Sequence, residues 1–409
     1  MKKCKKIFLF LMMTILCVLA VSGKEAQAGT KTIPVKGYSC DNLCRPSRSS
    51  GGMDYMFEYV NDLRTTPNVS YKNPDGSPHY PQNLTALTYD YGLENVAKQR
   101  AAEIAIRYAH TRPKGGKFPT VFDEFKYNKG TTMGENIGMD NADVYTIYKG
   151  FEEANEDYAG QGHRRSMLNP VFKYVGYARL NVAGTFYTVQ IFSSHSTGVT
   201  TPTAGNGNIT RNVEVEAGKI TSFSPVIRID SKYVDGNTWT IGINNESVKL
   251  DTTKVCLYTS FTGDENDKKN ASTIIPSDTT VTFKDNTLIE IDSNGYLRPK
   301  KSGTTTMTVN YKAINETYTV TLKVEAALDF ANTQYVLEKN ENGISGTYYF
   351  TGKSITPKLS FCRVGNSFPV EGIDYVLEYE NNVDVGRATL RIKGIGGHTG
   401  FKEVPFNIV

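Results

Sequence analysis

Five histidines occur in 409 residues, and two of them stand where an imidazole could do chemistry. His163 lies in "EDYAGQGHRRSMLNP", in a glycine-flanked turn with Arg164 and Arg165 directly after it. His110 closes "DYGLENVAKQRAAEIAIRYAH", at the end of a helical pattern. A histidine in either place can bind a metal, move a proton near neutral pH, or simply hold a loop. Each has a plain alternative. His110 could finish a helix, where the dipole favours a cation, and His163 could donate to a backbone carbonyl. Acyl transfer has little to stand on. There is no Gly-x-Ser-x-Gly turn, no cysteine lies between Gly52 and Thr197, and Ser166 and Thr111 are near the histidines only in sequence. His79, in a proline-rich loop, and His195, at the end of a strand pattern, read as structural.

Three helices and a hairpin must position these side chains. "MDYMFEYVNDLR" puts Met53, Phe57, Val60 and Leu63 on one helical face. The stretch before His110 aligns Leu93, Val96, Ala97, Ala101, Ile104, Ala105 and Tyr108, with Asp90 as N-cap. "DVYTIYKGFEEANEDY" predicts a third helix carrying Val144, Ile147, Tyr148, Phe151 and Tyr158 on one face. "VGYARL" and "GTFYTVQIFSS" alternate as two strands of a hairpin. The mixture predicts an α+β domain over 52–197. A polar stretch with Gly and Pro, 198–211, reads as a linker. Beyond it, "TWTIGI", "VCLYTSF", "TTTMTVNY" and "ETYTVTLKV" are strands without helices between them. They predict all-β modules over 212–326 and 327–409.

The first 28 residues read as a secretory signal: a basic "MKKCKK", an apolar run from Ile7 to Val21, and "AQA" as cleavage site. Residues 29–51 then form an N-terminal tail. Removing the signal takes five lysines and one glutamate, which leaves 41 basic and 41 acidic residues. With that balance, nothing here resembles a polybasic surface for nucleic acid or anionic membrane. No second apolar run follows, so no transmembrane segment is expected in the mature chain. Cys40 and Cys44 could close a small loop, whereas Cys256 and Cys362 fall in separate modules and can be free.

"HTRP" (His110 to Pro113), "GENIG" (Gly134 to Gly138) and "GQGHRRSML" (Gly160 to Leu168), in this order, resemble the CAP superfamily of SCP-like extracellular domains. "VNDLR", "LTYDYGLENVAKQRAAE" and the closing strands extend the likeness over about 145 residues, Met53 to His195. The resemblance implies a three-layer α-β-α sandwich with a cleft lined by two histidines and two acidic residues. By motif these are His110, His163 and Glu135, although Glu135 could also serve only to satisfy loop amides. The second carboxylate belongs three residues after an aromatic in the third helix, and here that position is Ala154. On a helical wheel Asp157 lies one turn further on the same side, while Glu153 points almost opposite Phe151. Asp157 is therefore the choice.

Two neutral imidazoles with one or two carboxylates can hold zinc or another divalent metal, with a water position open. "IEIDSNGYLRPKKSGTTTMTVNY" resembles bacterial Ig-like modules, and "DYVLEYENN" with "GRATLRIKGIGGHTG" resembles a second bacterial surface module. Both read as spacers or attachment units, and Trp239 reads as core packing. The expected protein is secreted, extracellular or loosely bound at a cell surface. Its cleft would bind an extracellular ligand: a lipid, a metal ion, a wall component or a host protein. The resemblance leans away from an enzyme. The alternative is a metal-assisted, peptidase-like hydrolase using the same histidines.

Overall fold

The computed structural model describes residues 29–46, 55–128, 130–202, 205–229, 234–243, 248–261, 271–274, 279–395 and 397–409. The expected signal segment and Met53 lie outside the described residues.

The long helix α2, Tyr91–Ile106, starts where Asp90 accepts from Gly92 N at 2.9 Å and Leu93 N at 3.0 Å. Its apolar residues pack on a six-stranded sheet, yet Glu94, Lys98, Arg100 and Glu103 on the other sides are also buried. Buried charges must be paired, and here they are. Asp41 and Glu94 both accept from Lys98 Nζ, at 2.7 and 2.8 Å, and Arg45 reaches both oxygens of Glu94 at 2.7 Å.

Those partners come from the segment expected to be a tail. It forms strand β1, Thr30–Ser39, with Ile33 and Val35 fully buried against the α2 side of the sheet. The remaining strands are β2, Met133–Asp140; β3, Tyr174–Val182; β4, Thr185–Ser193; and β5, Gly207–Glu216. Their order is β2-β4-β3-β1-β5, with the short strand Thr88–Tyr89 pairing parallel to β3. β1 pairs with β5 along its whole length, from Thr30↔Glu216 to Ser39↔Gly207. The expected linker, 198–211, and the expected module start at 212 are therefore corrected: β5 belongs to this sheet. Its alternating Val213 and Val215 are buried on the same face as Ile33 and Val35 of β1, which is why the chain continues the sheet instead of leaving it.

Helices α1, Met56–Thr65, α3, Val144–Glu152, and α4, Gly162–Met167, cover the opposite face over β2, β3 and β4. A Cβ at Gly176 would meet Glu94 N at 2.2 Å, so only glycine lets α2 lie this close to β3. Two expected ends are corrected. α2 stops at Ile106 instead of running to His110, and α3 stops at Glu152 instead of continuing to Tyr158. Cys40 and Cys44 are free thiols, and burial pushes the Cys44 thiol up.

After the turn at Gly218 the chain is rich in strands. A five-stranded and a three-stranded sheet share a core that includes Trp239, Leu257, Tyr311 and Leu322. This region is tied back to the first domain. Lys31 of β1 pairs with Glu316, and the Arg107 guanidinium lies 4.6 Å from the Phe261 ring centre. The last module builds a separate core around Phe330, Leu390, Ile392 and Phe406. His398 has a packing role there: its Nδ1 accepts from Leu328 N at 3.1 Å and its Nε2 faces Asp374 at 3.2 Å. Cys256 and Cys362 form no disulfide among the described residues. No helix among the described residues is long and apolar enough to cross a membrane.

Candidate functional site

β2 is an edge strand of the sheet, and its successive side chains point to opposite faces. Glu135 faces α2, where His110 Nδ1 lies 2.8 Å from its Oε2. Asn136 faces the other layer and donates to His163 O at 3.2 Å and to Gln190 Oε1 at 2.8 Å. The two expected histidines are thus attached to one strand through adjacent residues.

His110 is reached by an extended turn, not by the helix itself. The chain leaves α2 at Arg107, and His110 O accepts from Phe118 N at 3.1 Å. The helix-dipole explanation for this residue loses its basis. Its ring is instead held by Glu135, whose side chain is fully buried while the imidazole is 44% exposed. Behind Glu135 stands Arg100, also fully buried, donating through Nε to Glu135 Oε1 at 2.6 Å and through Nη1 to Glu103 Oε2 at 2.6 Å. Burial opposes the charge on Arg100, but the two carboxylates outweigh it and hold its pKa above the ordinary arginine value. Burial likewise works against ionised Glu103, and Arg100 and Arg112 overcome it, leaving its carboxyl below the usual range. Arg112 extends the chain of charges outward to Glu124 at 2.5 Å.

His163 has its own carboxylate, and it is not Asp157. Glu153 Oε1 lies 2.5 Å from His163 Nδ1, while its Oε2 accepts from His163 N at 2.9 Å and Arg164 N at 3.2 Å. The helical projection misled because Glu153 is the first residue past α3, in left-handed backbone at φ 47° and ψ 35°. That conformation costs a non-glycine residue about 1–2 kcal/mol. It persists because the carboxylate caps the first amides of α4 and Gln161 donates to Glu153 O at 3.0 Å. Gln161, 1% exposed, also accepts from Lys72 N at 2.6 Å, so the short strand Tyr71–Lys72 that follows α1 is fixed to the same point. The Asp157 side chain is 97% exposed and pairs with Lys72 at 3.3 Å, outside this group. Ala154 is exposed as well.

Phe151 completes the setting, its ring centre 5.0 Å from that of His163 in an edge contact. Arg164 is buried and donates to Ser70 O at 2.7 Å and Glu152 O at 3.0 Å; loss of water lowers its pKa. Arg165 lies over the Tyr158 ring at 4.1 Å. Neither arginine is presented as an anion reader.

Each imidazole therefore has Nδ1 on a carboxylate, and a tautomer that donates from Nδ1 would offer its Nε2 lone pair to another partner. This is the outer-shell arrangement of metal-binding histidines. The donor set is limited, because among the described residues no group of three or more His, Cys, Asp or Glu side chains could hold a metal ion. A closed four-ligand zinc site made of protein side chains does not fit this donor set.

With the sheet, its helices and the two His–carboxylate pairs in view, residues 57–192 are a CAP domain. They match the family model described as "CAP: Cysteine-rich secretory protein family". No curated protein matches the chain. Among solved structures, Schistosoma mansoni venom allergen-like protein 4 is similar at 15% identity, over 38% of this chain and 97% of that one, with a TM-score of 0.26. NaASP2, crystallised with Zn2+, is similar at 17% identity, over 40% of this chain and 90% of that one, with a TM-score of 0.26. The S-layer protein rSbsC(31-844) is similar at 15% identity, over 57% of this chain and 34% of that one, with a TM-score of 0.20.

Proposed function

We propose that this is a secreted, bacterial-type protein whose CAP domain binds an extracellular ligand or a divalent metal ion through His110 and His163. In this reading Glu135 and Glu153 orient the rings, and Asp157 has no part. The strand-rich regions act as Ig-like spacer or attachment modules that hold the domain out from a surface. The observation that carries the proposal is the matched pair of anchors. Two partly exposed imidazoles, one held by Glu135 of β2 and the other by Glu153 just past α3, each meet a carboxylate through Nδ1.

Binding is favoured over catalysis for a chemical reason. Glu135 is fully buried and shared between Arg100 and His110, so it has no oxygen placed to activate a water. A metal-assisted hydrolase would need the open coordination positions to supply both water and substrate sites.

Equilibrium dialysis of the mature chain against Zn2+ tests this. Saturable binding that falls at least tenfold in His110→Ala and in His163→Ala supports a shared donor pair. Binding unchanged by both variants, with the fold intact, contradicts it. Hydrolysis of a peptide library, lost in the same variants, would favour the enzyme reading.

A further inference from the structure

The sheet has a second feature that the histidine site leaves unused. Helices α1, α3 and α4 cover β2, β3 and β4 on their face, but none reaches β1 and β5. There the alternate residues of both strands stay open, and a cavity of about 570 Å3 lies over them. Its volume is within the span of small-molecule sites, about 300–1,000 Å3. β1 and β5 supply its floor, the β3–β4 hairpin tip at Ala183 and Gly184 one wall, and Lys254 of the next module another.

The register defines what the floor offers. Tyr38, 45% exposed, stands directly opposite Asn181 on β3 and Asn208 on β5. Opposed residues of antiparallel strands share a face, so the ring lies between two side-chain amides. Asn181 Oδ1 accepts from Gly184 N at 3.0 Å, which turns its NH2 outward as a donor. Two residues along, Lys36 is opposite Thr210. The lining holds two ammonium groups, Lys36 and Lys254, and no carboxylate. Lys254 reaches Asp251 at 3.3 Å outside the lining, whereas Lys36 forms no ion pair among the described residues.

We infer that this cavity binds an acidic oligosaccharide. An aromatic face suits the apolar side of a sugar ring, flanking amides and a hydroxyl suit its hydroxyls, and two ammonium groups suit carboxylates on neighbouring units. A purely apolar ligand would strand the amides and lysines, and a bare anion would leave the ring and amides without a role. The site is built jointly by the first domain and the following module, so it does not depend on the histidines.

The test uses the full mature chain and fluorescently labelled hexagalacturonate as probe, followed by anisotropy. Cellohexaose serves as the neutral competitor and tripolyphosphate as the charge-only competitor. The expected result is saturable binding, at least tenfold weaker in Tyr38→Ala and in the Lys36→Gln/Lys254→Gln double variant, and unchanged in His110→Ala. Both competitors should be at least tenfold less effective than unlabelled hexagalacturonate. These side chains are partly exposed, so thermal unfolding should show the variants folded; the double lysine variant decides if Tyr38→Ala is not. Absence of saturable binding, equal competition by tripolyphosphate, or binding indifferent to the lysines would overturn the inference.

Discussion

Glu153 and His163 are ten residues apart in the chain, and one carboxylate holds both the ring and the main chain of the histidine: Oε1 to Nδ1 at 2.5 Å, Oε2 to N at 2.9 Å. Left-handed backbone at Glu153 makes this possible, because a continuing helix would carry the side chain away. Strain in the backbone and orientation of the imidazole are thus parts of one arrangement.

That arrangement separates two variants. Glu153→Gly relieves the backbone and removes the carboxylate, whereas Glu153→Ala removes the carboxylate and keeps the strain. Both should weaken Zn2+ binding by about 10–100-fold, as loss of outer-shell partners does. Thermal unfolding should show Glu153→Gly as the more stable of the two, by about 1 kcal/mol. Equal stability would mean that the left-handed backbone carries no strain of that size.

Arg100 offers a harsher test. Replacing it with Met leaves Glu103 and Glu135 buried without their shared cation, and breaking a buried pair this way costs about 3–5 kcal/mol. Urea unfolding should show that loss. Arg100→Lys should recover little of it, because one ammonium cannot reproduce the forked contacts to both carboxylates and Ala109 O.

The same charges set an acid limit. Glu94 and Glu103 have carboxyls held below their ordinary value of 4.5: burial opposes ionisation in both, and paired Arg and Lys groups overcome it. A depressed folded pKa stabilises fully above the unfolded value and is lost as pH falls through the folded one. Urea midpoints should therefore be steady above pH 4.5 as far as these groups are concerned, and fall below it. In Glu103→Gln the protein should be less stable at pH 6, with the gap to wild type closing below pH 4.5. A gap that stays constant with pH would show that Glu103 ionisation is not linked to folding.

Much of the first domain was legible before any coordinates. Asp90 capped α2 as expected, and the β3–β4 hairpin formed. What escaped depended on long-range pairing. In "TKTIPVKGYS" the inward Ile33 and Val35 are separated by Pro34 and followed by Gly37, so local propensity gives little sign of a strand. Its partner β5 follows a Gly/Pro stretch that resembles a linker, and the two meet only in three dimensions. Glu153 escaped for another reason: periodicity describes a helix while it continues, and says nothing once the backbone turns left-handed at its end.

The β1–β5 pairing has its own consequence. Ile33→Ala should cost about 2–5 kcal/mol despite lying in the N-terminal segment. A chain ending after Thr197 loses β5 and exposes the buried edge of β1, so it should be cut rapidly by trypsin, while one ending after Glu216 should resist longer. Equal resistance of the two would show that β5 is dispensable to the domain.

The central claim is that His110 and His163 act on one ligand through their Nε2 atoms. Long-range 1H–15N NMR of the histidine rings during a Zn2+ titration tests it directly. Both Nε2 signals should move together, over the same concentration range, while His79, His195 and His398 stay in place. Rings that respond at different concentrations, or an Nε2 signal indifferent to the metal in either one, would contradict a shared site.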